Sequence, residues 1–275
     1  MTYPFLKGHG TENDFVLLPD HDGSVHGDLS ADRVRALCDR RAGIGGDGVL
    51  RVIRTTAIEA GRGQDAEWFM DYHNHDGSLS EMCGNGIRVF ARHLVEEGLA
   101  DGSAPIPVGT RDGVKVLTLS DGPDGLVTAD LGTPTVLGAT EVSVPGHTWT
   151  AQHVDMGNPH AVAFVDDLDD AGPLLEAPAH DPAVYPAGVN VEFVLRRGPR
   201  HVAMRVHERG SGETRSCGTG ACAVMVATAL ADGAPRGTAY TIDLPGGTLS
   251  ITWTQDDRVL MTGPALIVAR GTTAL

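Results

Sequence analysis

The feature of the chain that most constrains its fold is an internal repeat. The segments "MCGNGIRVFARHLVEEG" (residues 82–98) and "SCGTGACAVMVATALADG" (residues 216–233) each place a Cys-Gly-x-Gly sequence before a helical pattern. The two cysteines are 134 residues apart (217 − 83), and the same shift aligns "WFMDYHN" with "VAMRVHE", two alternating strand patterns. A repeated order of strand, polar loop, cysteine and helix predicts two domains of similar topology.

A second correspondence supports the duplication at a different offset. "ENDFVLLPD" (residues 12–20) resembles "GNPHAVAFVDD" (residues 157–167), since in each an Asn opens an apolar strand that ends in Asp. The many short strand patterns and few long helices predict an α+β fold with two pseudo-symmetric domains, each a mainly antiparallel sheet wrapped around a central helix.

The predicted domain boundary is the turn-rich stretch "SDGPDGLVTADLGTP" (residues 120–134). We place the N-terminal domain at residues 1–120 and the C-terminal domain at residues 121–275. We expect the last ~10 residues of the chain to pack back on the first domain. The active site is expected in the cleft between the domains.

Composition excludes several classes of function. The chain has 275 residues, is 41% hydrophobic and carries a formal net charge of −15, which disfavours binding to nucleic acid or to an anionic membrane surface. The longest apolar run, from Ala221 to Ala231, is too short to cross a bilayer. Four cysteines without a CxxC pair indicate reduced thiols rather than a disulfide scaffold. We therefore expect a cytoplasmic enzyme.

The helices after the two cysteines have different patterns. In the first, an apolar stripe contrasts with charged residues, including Arg88, that are expected to face elsewhere, and Gly98 supplies a stop. The stripe consists of Ile87, Phe90, Ala91 and Leu94. The second, "ACAVMVATALA", is apolar all round, which predicts burial within its own domain.

The position of each cysteine suggests acid–base chemistry. A helix N-terminus lowers the pKa of a thiol, and the following glycines leave backbone N–H groups open to an anion such as a carboxylate. Two such helix ends would hold one carboxylate between two thiols, an arrangement suited to removing an amino-acid Cα proton from one face and returning a proton to the other. A pyridoxal-phosphate racemase would need a Schiff-base lysine, and neither Lys7 nor Lys115 lies in such a context.

Over nearly its whole length the sequence resembles the diaminopimelate epimerases. The matching motifs are "GHGTENDFV", "GIGGDG", "NHDGS", "MCGNGIR", "MGNPHAV", "GVNVEF", "ERGSGETRSCGTGA" and "DLPGG". The resemblance implies a cofactor-independent epimerisation of L,L-2,6-diaminopimelate to the meso form, in lysine and peptidoglycan precursor biosynthesis. Cys83 and Cys217 would be the acid and base, with Cys217 as the base on the L,L substrate. The residues alone leave that order open.

The resemblance also implies the remaining site residues. Gly84, Asn85, Gly218 and Thr219 would bind the substrate carboxylate, while His160 and Glu208 would set the protonation states of the cysteines. The further substrate-binding positions are Asn13, Asn74, Asn158, Asn190, Glu208 and Arg209. Amides and a bidentate arginine suit a substrate with an amino-acid head at each end. The resemblance implies a homodimer, and it implies no metal or cofactor.

One position departs from the family pattern. Where many members have Gln after the Asp of "GIGxD", this chain has Gly48, so a contact that others make with a side chain must come from elsewhere or be missing. We do not include Gly48 among the site residues.

Other interpretations remain open at this point. Cys38 and Cys222 lack the glycine context and are expected to pack in the core, and "HNH" (residues 73–75) is not expected to bind metal. The alternative functions are a proline or hydroxyproline racemase-like enzyme on the same scaffold, a Cys-His hydrolase or transferase with one nucleophile, and a noncatalytic amino-acid-binding or redox-switch protein. Only the epimerase and racemase predictions need both cysteines to exchange a Cα proton.

Overall fold

A computed structural model describes residues 2–120 and 125–275; residues 121–124, which belong to the predicted boundary stretch, lie outside the described residues. The chain divides into two compact units. Unit 1 comprises the residues up to Ala129 together with Gly263–Leu275, and unit 2 is Asp130–Thr262.

The described part of unit 1 contains two α-helices, two short 3₁₀ turns and eight strands, the last residue of β7 belonging to unit 2. The helices are α1 (Ala31–Cys38) and α2 (Gly84–Glu96), and the 3₁₀ turns are Thr55–Ala57 and Glu59–Gly61. The strands are β1 (Tyr3–Gly10), β2 (Asn13–Pro19), β3 (Gly48–Arg54), β4 (Trp68–Asn74), β5 (Ile106–Thr110), β6 (Gly113–Leu119), β7 (Val127–Asp130) and β18 (Leu266–Thr273).

Unit 2 contains one α-helix, one 3₁₀ turn, nine complete strands and β17 without its last residue, which belongs to unit 1. The helix is α3 (Gly218–Ala231), and the 3₁₀ turn is Leu168–Ala171. The strands are β8 (Thr135–Val144), β9 (His147–Asp155), β10 (Pro159–Phe164), β11 (Ala179–His180), β12 (Asn190–Gly198), β13 (His201–Glu208), β14 (Gly212–Thr214), β15 (Ala239–Leu244), β16 (Gly247–Trp253) and β17 (Val259–Gly263).

The sheet of unit 1 runs in the order β18-β1-β2-β3-β4-β5-β6-β7. Two neighbouring pairs, β2–β3 and β4–β5, are parallel, and the others are antiparallel. Helix α2 packs against β1, β2, β3, β6 and β18. The sheet therefore curves around the helix that begins after Cys83.

Unit 2 repeats this topology in the order β8-β9-β10-β12-β13-β15-β16-β17. Its parallel pairs, β10–β12 and β13–β15, occupy the same two places in the order. Helix α3 packs against β9, β10, β12, β13, β15 and β16. The predicted α+β fold, with two units of matching topology that are mainly antiparallel sheet on one helix, is confirmed.

The two helices differ in what they bury. Helix α3 is buried along most of its length, as its uniformly apolar sequence predicts. In α2 the expectation for Arg88 is wrong: its side chain is fully buried, and its Nη1 donates to the Gly84 carbonyl at 3.2 Å. The sheet of unit 1 covers more of α2 than its apolar stripe alone indicates.

The two remaining cysteines lie in the interior. Cys38 packs with Val34 and Leu37 of α1, and burial raises the pKa of its thiol to about 11. Cys222 is fully buried in α3. Both placements confirm the core-packing prediction. Among residues 2–120 and 125–275, no helix is long and apolar enough to cross a membrane.

Candidate active site

Cys83 is the N-cap residue of α2. Its backbone is extended, and its Sγ accepts a hydrogen bond from the Gly86 N–H at 3.5 Å. The partly exposed thiol also donates to Asn13 Oδ1, 3.6 Å away on β2. The sulfur therefore lies where the first N–H groups of the helix point, as the Cys-Gly-x-Gly sequence predicts.

Asn13 is held in place by two side-chain hydrogen bonds. The Asn85 amide donates to Asn13 Oδ1 at 3.2 Å, and the Asn13 amide donates to Asp47 Oδ2 at 2.7 Å. Asp47 in turn accepts from Arg40 at 2.6 Å. These bonds fix the amide so that its carbonyl oxygen faces Cys83. Sequence reasoning missed Asp47, although it lies within the quoted "GIGGDG" motif.

Gly48 lies between two site strands, opposite Phe15 of β2 and Asn74 of β4. A Cβ at this position would lie 2.6 Å from both the His73 carbonyl oxygen and Tyr72 Cε2. A longer residue therefore requires Tyr72 and the backbone of β4 to move. The Asn74 side chain, at the end of β4, donates to Ser78 Oγ at 3.1 Å.

Cys217 is the N-cap residue of α3, and its Sγ accepts from the Gly220 N–H at 3.4 Å. The Thr219 hydroxyl lies 3.7 Å from the same sulfur, and Cys217 as a residue is only 5% exposed. Burial, followed by the nearby carboxylates of Glu208 and Glu192, raises the pKa of the Cys217 thiol well above its ordinary value. The prediction of a lowered pKa is therefore wrong for Cys217, because burial and two negative charges outweigh the helix N-terminus.

The carboxyl group of Glu208, the last residue of β13, is hydrogen-bonded to one hydroxyl and one thiol. It accepts a hydrogen bond from the Thr214 hydroxyl and also bonds to Cys217. Burial raises the pKa of the Glu208 carboxyl, and these hydrogen bonds oppose the shift. Two neighbouring acids, Glu208 and Cys217, thus both bind their protons more tightly than in water.

His160 lies fully buried on β10 between two polar partners. Its Nδ1 is 2.6 Å from Glu192 Oε1, and its Nε2 is 3.0 Å from Asn158 Oδ1. The ring therefore joins Asn158, a predicted substrate ligand, to a buried carboxylate. Glu192 was missed by sequence reasoning, although a charged residue inside the apolar strand "VNVEFVL" is a usable signal.

Asn190 and Arg209 are joined through the backbone. The Asn190 amide donates to the Pro159 carbonyl at 3.2 Å, and its Oδ1 accepts from the Arg209 N–H at 2.9 Å. The exposed Arg209 guanidinium donates to the Ala187 carbonyl at 3.0 Å. Asn190 therefore holds the backbone at the point where the arginine side chain leaves the sheet.

The lysines and the "HNH" segment have structural partners. Lys7 pairs with Asp14 at 2.6 Å, and Lys115 pairs with Asp112 at 2.7 Å. His73 lies 3.2 Å from Asp71. Within the part of the chain that the structure describes, no cluster of three or more His, Cys, Asp or Glu residues is arranged to hold a metal ion.

The structure thus gathers the predicted residues into two half-sites, one in each unit. In unit 1, Asn13 and Asn85 lie around Cys83, with Gly84 in the first turn of α2 and Asn74 two strands away from Asn13. In unit 2, Cys217 lies with Glu208 and Thr219, next to the hydrogen-bonded pair His160 and Asn158. Gly218 opens α3, and Asn190 and Arg209 join this half-site through β12 and the end of β13.

Comparison with known proteins identifies the family. The model of the family described as diaminopimelate epimerase matches residues 5–137 and 152–268. The diaminopimelate epimerase of Streptomyces coelicolor is 59% identical over 277 aligned residues, which cover 97% of this chain and 94% of that protein. The chain belongs to the diaminopimelate epimerase family.

Solved structures with much lower identity share the fold. A phenazine biosynthesis protein of the PhzF family from Bacillus anthracis has a TM-score of 0.73 at 14% identity, with 100% of both chains covered. A hydroxyproline epimerase from Agrobacterium vitis has a TM-score of 0.67 at 16% identity, covering 100% of this chain and 93% of that one. At these low identities, the two structures show only that the fold is shared. They give no information about the substrate of this chain.

Proposed function

We propose that this chain catalyses the epimerisation of L,L-2,6-diaminopimelate to meso-diaminopimelate, with Cys83 and Cys217 as its two acid–base groups. The observation that carries the proposal is the matched pair of cysteine N-caps, one at each glycine-rich helix start, in a member of the diaminopimelate epimerase family. The product serves lysine and peptidoglycan precursor biosynthesis.

The reaction needs one thiolate and one thiol on opposite faces of the same carbon. The Cys217 thiolate removes the Cα proton of the L,L substrate, and the Cys83 thiol returns a proton to the other face. One S–H bond forms while another breaks, so the enzyme ends the turnover with the proton on the opposite cysteine. In the reverse direction the two roles exchange.

Glu208 and His160 supply the route by which Cys217 becomes a base. The Cys217 thiol is bonded to the Glu208 carboxyl, whose raised pKa makes it a competent proton acceptor. His160 faces that carboxyl and contacts Asn158 at 3.0 Å. Substrate binding then transfers the proton from the Cys217 thiol to the Glu208 carboxylate, and the raised pKa of that carboxyl favours the protonated form that the transfer produces.

The helix starts stabilise the charge that develops on the reacting carboxylate. Gly84 and Asn85 of α2 and Gly218 and Thr219 of α3 lie in first helical turns, where backbone N–H groups have no partner within the helix. A preorganised donor of this kind contributes about 3 kcal/mol to the stabilisation of an oxyanion. The helix ends therefore lower the barrier to Cα deprotonation without a cofactor.

The remaining polar residues select the second amino-acid head of the substrate. Arg209 provides a guanidinium for the distal carboxylate, and Asn13, Asn74, Asn158 and Asn190 provide amides for ammonium and carboxylate groups. Small substrates such as proline lack this second head. We also propose that the enzyme is a cytoplasmic homodimer.

The deciding experiment is incubation of the purified protein with L,L-diaminopimelate in deuterated water. We expect one solvent deuterium at Cα and formation of the meso isomer, detected by mass spectrometry and chiral chromatography. Proline and hydroxyproline form the matched substrate controls. Inversion of proline alone would establish a racemase of that class, and a trapped acyl-enzyme without Cα exchange would establish a single-nucleophile enzyme; either outcome overturns the proposal.

A further inference from the structure

A buried carboxylate lies beneath the first turn of α3 and has no place in the reaction described so far. Glu192 on β12 is fully buried, and its Oε1 lies 2.6 Å from His160 Nδ1. Its Oε2 has no hydrogen-bond partner among the described residues. A carboxylate in such a place is unfavourable unless a partner compensates it, so the hydrogen bond to His160 is what makes the position tolerable.

Glu192 also lies against the helix start that carries Cys217. A Cβ added to Gly220 would lie 2.7 Å from Glu192 Oε1 and 3.2 Å from Cys217 Sγ. The missing side chain of Gly220 therefore lets the carboxylate and the thiol approach the same turn of backbone. The other titratable groups that face Glu192 are His160 on β10, Glu208 on β13 and Tyr185 in the loop before β12.

The equivalent place in unit 1 holds no charge. The strand registers pair Phe15 with Gly48 and Leu17 with Leu50, and they pair His160 with Asn190 and Val162 with Glu192. In α2, a Cβ on Gly86 would meet Leu50 Cδ2 and Phe15 Cζ, both at 3.4 Å. Leu50 thus occupies in unit 1 the position that Glu192 occupies in unit 2.

We propose that Glu192 is a positioning residue that acts through His160 and makes the two cysteine half-sites chemically unequal. Its carboxylate accepts from His160 Nδ1–H and so turns Nε2 toward Asn158. Its negative charge next to the first turn of α3 favours the protonated form of Cys217 until substrate binds. This role rests on the proposed function, since it assigns Glu192 to the same acid–base site.

The test compares Glu192→Gln with Leu50→Met, a matched control at the equivalent position of unit 1. Gln keeps the shape of Glu and an acceptor for His160 Nδ1–H but removes the charge. The first measurement is the pH dependence of Cys217 alkylation by iodoacetamide in the substrate-free protein, followed by peptide mass spectrometry. We expect Glu192→Gln to accelerate alkylation of Cys217 about tenfold at pH 7.5, because removal of a neighbouring negative charge favours the thiolate.

The second measurement is the pH profile of kcat/KM for epimerisation. We expect Glu192→Gln to lower kcat/KM at least about tenfold and to move the profile to lower pH, with Leu50→Met unchanged in both assays. A folded Glu192→Gln protein with the wild-type alkylation and pH profiles would overturn the proposal. If Glu192→Gln does not fold, Glu192→Asp, which retracts the charge by one methylene, carries the same alkylation test.

The two measurements separate this inference from the proposed function. Alkylation of Cys217 requires no substrate, so it reports on Glu192 even if the wild-type protein fails to epimerise diaminopimelate. Conversely, an active wild type with a Glu192→Gln variant indistinguishable from it would leave the proposed function standing and remove Glu192 from it.

Discussion

The two cysteine half-sites have the same backbone and different surroundings. Each thiol caps a helix that starts Cys-Gly-x-Gly, and each accepts the N–H of the second following glycine. Around Cys83 the neighbours are the amide of Asn13 and the apolar side chains beneath α2, whereas Cys217 lies near two carboxylates. The duplicated fold fixes where the sulfur lies, while a few strand residues decide how tightly it binds its proton.

The largest effect expected from this comparison is the loss of epimerisation when either cysteine is removed. Cys83→Ala and Cys217→Ala should each reduce the rate by about 10³-fold or more, because each variant lacks one of two obligatory proton carriers. The measurement is conversion of L,L- to meso-diaminopimelate. Cys38→Ala and Cys222→Ala are the matched controls and should retain activity. An active Cys83→Ala enzyme would sink the two-base proposal.

Deuterium exchange in the same variants assigns the roles of the two cysteines. If Cys217 is the base on the L,L substrate, Cys83→Ala should still exchange that Cα proton slowly with solvent and without inversion, while Cys217→Ala should not. Exchange in the opposite variant would reverse the assignment of the two roles.

The two helices also differ in a buried histidine, which α2 has and α3 lacks. His93 of α2 is 1% exposed, and the 134-residue shift places Ala227 of α3 at the same point. Burial lowers the pKa of His93 to about 4, below its ordinary 6.5. Between these values the unfolded chain binds a proton that the folded chain does not, so stability falls as the pH falls through this window.

We expect His93 alone to reduce the free energy of unfolding by about 2 kcal/mol between pH 7.5 and pH 5. In His93→Leu this contribution should disappear, and the exposed His75→Leu serves as the control. Urea denaturation at the two pH values measures the effect. An unchanged pH dependence in His93→Leu would show that the buried ring is protonated or hydrated in the folded state.

The third prediction compares the reactivity of the two thiols. Cys83 is partly exposed, while Cys217 is buried and its pKa is raised by burial, Glu208 and Glu192. At pH 7.5, iodoacetamide should therefore alkylate Cys83 at least about tenfold faster than Cys217. Cys38 and Cys222, both buried, are internal controls in the same peptide map. Faster labelling of Cys217 would contradict the inequality of the half-sites.

The sequence predicts the shared part of this arrangement well and the difference poorly. The Cys-Gly-x-Gly starts and the alternating strands report local backbone geometry, which is why the two helices, the N-cap cysteines and the repeated topology are predicted correctly. The raised pKa of Cys217 is not predicted, because it depends on burial and on the carboxylates of Glu208 and Glu192. Glu192 is 25 positions earlier (217 − 192), and only the sheet register brings it beneath α3. The contacts of Asp47 with Asn13 are long-range in the same way.

The smallest predicted effect tests the packing beneath the two helix starts. In Gly220→Ala the new methyl group would lie 2.7 Å from Glu192 Oε1, and Glu192 cannot retreat without leaving His160. Overpacking of this kind lowers the free energy of unfolding by about 1–3 kcal/mol, and the higher helix propensity of Ala offsets about 1 kcal/mol of this loss. In Gly86→Ala the nearest atoms, at 3.4 Å, belong to apolar side chains in ordinary contact, so the same propensity gain should leave stability unchanged or slightly higher. The free energies of unfolding of the two variants, measured by urea denaturation, should differ by about 1 kcal/mol or more. Equal free energies would mean that the Glu192 carboxylate moves aside as readily as Leu50 does and is not held by His160.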